Sequence, residues 1–126
     1  MQGQLINDRY QIVRQIGRGG MSSVFLAEDV RSGEQVALKI MAHAQLARMG
    51  MDEEEALREA WLMRQLKHPA LPRIRDQLIS GSDCVIVMDL VEGVTLEEHI
   101  RRRGRLSERQ TCLFGIALCQ VLSYLH

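Results

Sequence analysis

The sequence predicts an α+β fold, and the order of its elements is what predicts it. Five segments carry strand patterns, one helix stands between the third and the fourth, and the chain then continues in helices alone. An alternating strand–helix order, the mark of a parallel sheet, is absent. Three glycines in four positions, Gly17, Gly19 and Gly20, fall in the first interstrand turn, so the backbone there is unusually bare.

The first strand reads from Tyr10 to Gly17 with alternating apolar residues. The second, Val24 to Val30, and the third, Gln35 to Met41, flank the turn Arg31-Ser32-Gly33-Glu34 and make an antiparallel meander. A helix is expected from about Asp52 to Lys67. Asp52 and Glu55 are spaced as a capping box, Glu53 to Glu55 suit the positive end of the helix dipole, and Pro69 discourages continuation. Strands follow at Ile74 to Ile79 and Cys84 to Leu90, joined by Ser80-Gly81-Ser82-Asp83. A helix over Thr95 to Arg103 comes next. Ser107 and Gln110, again spaced as a capping box, open a last helix that runs to the final residue.

Composition narrows the function classes. Sixteen basic and sixteen acidic residues cancel, so no global charge draws the chain to nucleic acid or to an acidic membrane. The start has no secretory pattern, and the apolar stretch Cys112 to Leu125 is too short to span a bilayer; a cytoplasmic location is expected. Cys84, Cys112 and Cys119 are odd in number and lack metal spacing, which suits reduced thiols. His43, His68, His99 and His126 share no metal spacing either. The basic run Arg101 to Arg105 has no interleaved aromatics and reads as a solvated helix end.

Gly17-Arg18-Gly19-Gly20-Met21-Ser22-Ser23-Val24 has the form G-x-G-x-x-S-x-V. Glycines let backbone N–H groups approach phosphate oxygens with no Cβ in the way. A hairpin turn that uses glycines for positive φ explains the same stretch, and on these residues alone both readings stand. A dinucleotide fold would need a helix directly after the glycines, whereas a strand follows. In Val36-Ala37-Leu38-Lys39 a lysine is embedded in an apolar run, where it either points into water or needs a partner. Glu59 shares helical spacing with Leu62, Met63 and Leu66, which places its carboxylate on an apolar stripe expected to face the core. Lys39 and Glu59 are then natural partners, with Glu55 one turn earlier as the competitor.

With these residues in place the chain resembles the N-terminal lobe of the eukaryotic-type protein kinases, and the bacterial serine/threonine kinases in particular. The stretches that carry the likeness are "IGRGGMSSVFLAED", "VALK", "LREAWLMRQLKHPALPRI", "VIVMDLVEGVTLEEHI" and "LSERQTCLFGIALCQVLSYLH", in family order over residues 10 to 126. The resemblance implies a five-stranded antiparallel sheet with one helix, followed by the first two helices of the C-lobe. Residues 1–9 would be an extension, 10–91 the N-lobe with its hinge, and 92–126 a partial C-lobe. It further implies ATP as the ligand, covered by the loop Ile16, Gly17, Arg18, Gly19, Gly20, Met21, Ser22, Ser23 and Val24. Lys39 would contact the α/β-phosphates and Glu59 would orient Lys39. Met88 would line the back of the adenine pocket, backbone groups of Asp89 and Val91 would bond the adenine edge, and Val24 and Ala37 would contact the base. Ser22 departs from the family's third glycine.

The implied activity is ATP-dependent phosphorylation of serine or threonine in protein substrates. Two family motifs are nevertheless absent from these 126 residues: the catalytic loop H-R-D-x-x-x-x-N and the metal-binding D-F-G. Leu113-Phe114-Gly115 lacks the aspartate and lies in a helical pattern. The sequence therefore predicts a chain truncated before the catalytic loop, with no Mg²⁺ ligands of its own and no activity alone. A non-catalytic module that binds nucleotide or a protein partner is the alternative. The last helix is apolar on every face and is expected to drive self-association.

Overall fold

Six strands form one antiparallel sheet: β1 (Leu5–Ile6), β2 (Tyr10–Arg18), β3 (Ser23–Asp29), β4 (Gln35–Met41), β5 (Ile74–Ser80) and β6 (Asp83–Asp89), in the order β1-β2-β3-β4-β6-β5. The helices are α1 (His43–Arg48), α2 (Glu53–Arg64), α3 (Leu96–Arg103) and α4 (Glu108–Leu125). The computed structural model describes residues 2–18 and 22–125, and of Glu53 the backbone only. The chain divides into two compact units, Met1–Lys67 with Pro72–Leu90, and His68–Leu71 with Val91–His126.

The α+β class holds, with one strand and one helix more than expected. Leu5 and Ile6 pair with Gln11 and Tyr10, and Ile6 is buried with the core, so this part of the leading segment belongs to the sheet. Two residues are too few for a periodic signal; the pairing exists because Ile6 finds an apolar surface to cover. Helix α1 has the same origin. Its Leu46 is buried against Ala56 and Cys84, and six residues without that contact would not hold a helix.

The sheet buries apolar residues on both faces. On one, Tyr10, Ile12, Phe25, Ala27, Val36, Leu38, Ile40, Val85 and Val87 pack together. Full burial of a side chain such as Leu38 stabilises by about 1.5–3 kcal/mol. On the other, Ala60 of α2 packs on Ile74 and Ile86, and Ala56 on Leu46 and Cys84. The interior strands β4 and β6 are therefore apolar nearly throughout. The β5–β6 turn is the two-residue pair Gly81-Ser82, where Gly81 takes φ 63°, a left-handed conformation that suits glycine in a tight hairpin.

Helix boundaries follow their caps. The Asp52 carboxylate accepts from the Glu55 amide at 2.8 Å, as the capping spacing predicts, and α2 ends three residues earlier than expected. In the second unit, Ser107 and Gln110 complete their box reciprocally: each backbone N–H donates to the other's side chain, at 2.9 and 3.1 Å. Helix α3 carries Glu97 and Glu98 in its first turn and three arginines in its last. Arg101 bridges both glutamates, and Arg102 bridges Glu98 at 2.6 Å, so much of the basic run is spent within its own helix.

Candidate functional site

The glycine-rich stretch joins β2 to β3. Ile16, Gly17 and Arg18 end β2, Ser22 follows the loop, and Ser23 and Val24 begin β3. Gly19, Gly20 and Met21 lie outside the described residues. Gly17 is opposite Val24 and Arg18 opposite Ser23, while Ile16 is the extra residue of a β-bulge. Gly17 does not adopt positive φ. A Cβ added there would meet the Val24 Cβ at 3.6 Å, an ordinary contact. The fold does not require glycine at this position. A turn that needs left-handed backbone therefore does not account for Gly17.

The strand register collects the other residues. Val24, Lys39 and Ile86 form one cross-strand row; Leu26, Ala37, Met88 and Ile74 form the next. Directly paired residues share a face, and so do residues two apart on one strand. Gly17, Val24, Ala37, Lys39 and Met88 thus occupy neighbouring positions on a single sheet face. Ala37 is buried, while Val24, Lys39 and Met88 are half-buried. Lys39 has no ion pair among the described residues, so a half-buried lysine stands there without a carboxylate among them.

Glu59 is not where the helical pattern predicts. Helix α2 turns its alanines to the sheet, with Ala56 and Ala60 buried, and leaves Leu62 and Met63 more than half exposed. Glu59 lies on the exposed side with them. The larger apolar residues suggested the wrong stripe; small residues sit at the contact because they allow the helix close to the strands. Ala60 does pack on Ile86, the row neighbour of Lys39, so the glutamate is one residue from the helix–sheet seam.

A charged network at the end of β6 was not foreseen. Arg75 Nε donates to Asp89 Oδ1 at 2.6 Å, and its Nη1 donates to Glu34. Arg73 approaches the same aspartate at 3.9 Å, and the Asp89 amide donates to the Arg73 carbonyl at 2.9 Å. The hydrogen bond from Arg75 to Glu34 is the largest cause that raises the arginine's pKa, followed by that to Asp89. Register shows why Arg75 can reach both. Ile74 pairs with Met88 and Asp76 with Val87, which leaves Arg75 as the extra residue of a bulge. Nothing in a linear pattern signals a bulge.

A glycine-bearing strand pair beside a half-buried lysine on one face of an antiparallel sheet, with a helix packed on that sheet, is the arrangement these residues define. The chain matches the protein kinase domain family over residues 10–126 and belongs to that family. It is 40% identical to the serine/threonine-protein kinase pkn2 of Myxococcus xanthus over 92 residues, which is 73% of this chain and 11% of that protein. It is 35% identical to the serine/threonine-protein kinase PrkC of Bacillus subtilis over 124 residues, 98% of this chain and 19% of that one. With CBL-interacting protein kinase 16 of Oryza sativa it shares 32% over 123 residues, 98% of this chain and 27% of that one. The chain spans about a quarter or less of the length of these relatives. No helix among the described residues is long and apolar enough to cross a membrane, and no cluster of His, Cys, Asp and Glu among them could hold a metal ion.

Proposed function

We propose that this chain is the ATP-binding lobe of a serine/threonine protein kinase, whose whole enzyme transfers phosphate to cytoplasmic protein substrates. The observation that supports the reading best is the shared face of Gly17, Val24, Ala37, Lys39 and Met88. The residues fit the ligand. Gly17 is bare where the fold would accept a Cβ, Lys39 is a cation without a carboxylate among the described residues, and Ala37 opposite Met88 offers a low apolar floor to a planar base. Ile16, Arg18, Ser22 and Ser23 flank the phosphate side; the intervening Gly19, Gly20 and Met21 belong to the same loop by sequence. Asp89 and Val91 supply backbone groups to the adenine edge, and Glu59 orients Lys39 once α2 turns it toward the sheet.

ATP brings the transferable phosphoryl group, with Mg²⁺ to neutralise its oxygens. The lobe's part is to hold and orient it. The proton acceptor and metal ligands of the family lie in motifs that these 126 residues do not contain, so the chain alone is expected to show no kinase activity. Binding is expected to be weak, with a dissociation constant on the order of 1 mM, because one wall of a cleft recovers little of the cost of association. Titration with MgATP followed by backbone NMR is the test. Shifts should centre on Gly17, Val24, Ala37 and Lys39, and Lys39→Met should weaken them by about tenfold. Shifts elsewhere only, or phosphorylation of a generic protein that Lys39→Met abolishes, would overturn the reading.

A further inference from the structure

Asp89 is the last residue of β6 held by the sheet. It pairs with Val36, which is fully buried, and Leu90 beyond it is outside the strand. The direction in which the chain leaves the sheet is therefore set at Asp89. Its carboxylate is gripped by Arg75, and the same guanidinium is gripped from the other side by Glu34 of the β3–β4 connection. A guanidinium held by two carboxylates is less free to swing than one held by a single carboxylate, so it restrains Asp89 more than an isolated ion pair would. The bulge at Arg75 is the backbone feature that aims the side chain along the strand end.

We propose that Arg75 is a positioning residue for the hinge: through the Asp89 carboxylate it fixes the backbone where β6 ends and the adenine-edge hydrogen bonds begin. The inference rests on the nucleotide reading above for its functional consequence. Arg75 touches no ligand; it acts by limiting the positions available to the Asp89 and Leu90 peptide groups. An aspartate left without its arginines would still pair through its backbone to Arg73 and Val36, so the strand would persist with a looser end.

Amide hydrogen exchange on the full chain tests this, with Arg75→Gln, Asp89→Asn and the double variant. Arg75→Gln should speed exchange at Asp89 and Leu90 by about three- to fivefold, with Leu38 and Val85 unchanged. The MgATP dissociation constant should rise by a similar factor, and Asp89→Asn should add little on top, since the Arg75–Asp89 bond is lost in either variant. Equal acceleration at Leu38 and Val85 would reduce Arg75 to a general stabiliser and overturn the proposal, as would unchanged exchange at Asp89 or additive effects. If MgATP perturbs no amide of the wild-type chain, the nucleotide reading fails, and the exchange pattern still decides whether Arg75 holds the end of β6.

Discussion

Arg9 grips Asp29 with both prongs of its guanidinium: Nε donates to Oδ1 at 3.1 Å and Nη2 to Oδ2 at 2.9 Å. The Arg31 amide donates to Oδ1 at 3.0 Å. The aspartate is buried at the end of β3, where it ties the β1–β2 turn to the turn that follows. The hydrogen bond from Arg9 is the main cause that pulls its pKa down to about 2, against the opposing effect of burial. An unfolded aspartate titrates near ~3.9, so the folded chain holds this proton more weakly than the unfolded one. The stabilisation is complete above about pH 4 and is lost as pH falls toward about 2. Carboxyl NMR titration should find Asp29 at about 2, and Arg9→Gln should return it toward the ordinary range. An ordinary value in the wild-type chain would mean that the fork is open in solution.

Gly17→Ala separates the two uses of the glycine. Since Gly17 lacks positive φ and a Cβ would make ordinary contact with Val24, alanine should fold normally. Restricting the unfolded chain should even stabilise it slightly, by about 0.4–1 kcal/mol. Urea unfolding measures this. A loss beyond about 1 kcal/mol would show that the hairpin itself needs the glycine. MgATP shifts should weaken in the same variant, because the added methyl stands on the face that Lys39 occupies.

Lys39 and Glu59 should be energetically independent in this chain. The glutamate is exposed, and no ion pair joins it to the lysine among the described residues. In a double-mutant cycle by urea unfolding, Lys39→Met and Glu59→Gln should add within about 0.3–0.5 kcal/mol. Coupling of about 1 kcal/mol or more would mean that α2 turns Glu59 onto the sheet face in solution.

What the sequence could show follows from range. Local signals were legible: the Asp52 and Ser107 caps, the Gly33 and Gly81 turns and the alternation in β2 depend on residues a few positions apart. Lys39 was legible because a cation in an apolar strand is costly wherever the strand lies. The missed features depend on which surfaces meet in the fold rather than on spacing along one element. Leu5–Ile6 becomes a strand only because Tyr10 and Gln11 lie across from it. Arg75 matters only because a bulge points it at Glu34, forty-one positions away. Glu59 was misplaced because helical spacing identifies an apolar stripe but not which stripe a neighbour covers, and here the alanines won. The kinase motifs named Gly17, Val24, Ala37, Lys39 and Met88, and the strand register sets them on one face; the motifs did not fix the side on which α2 carries its glutamate.

Helix α4 makes the last prediction. It has no buried residue, and Leu113, Phe114, Ile116, Leu118, Leu122 and Leu125 each expose close to half of their surface or more. Those positions step around the axis, so no rotation of the helix hides them all at once. An aromatic contact, His68 against Tyr124 at 5.2 Å, falls near the end of the helix. Monomeric soluble proteins seldom leave contiguous apolar surface beyond about 300–600 Å², and a helix apolar on several faces ordinarily belongs in an interior. The chain by itself should therefore self-associate at tens of micromolar, as light scattering coupled to size exclusion would show. Ile116→Lys with Leu118→Lys should shift the population toward monomer, because cations buried between identical copies repel and find no partner in each other. A clean monomer whose Glu108–Leu125 amides resist exchange would mean that α4 finds its cover within one chain.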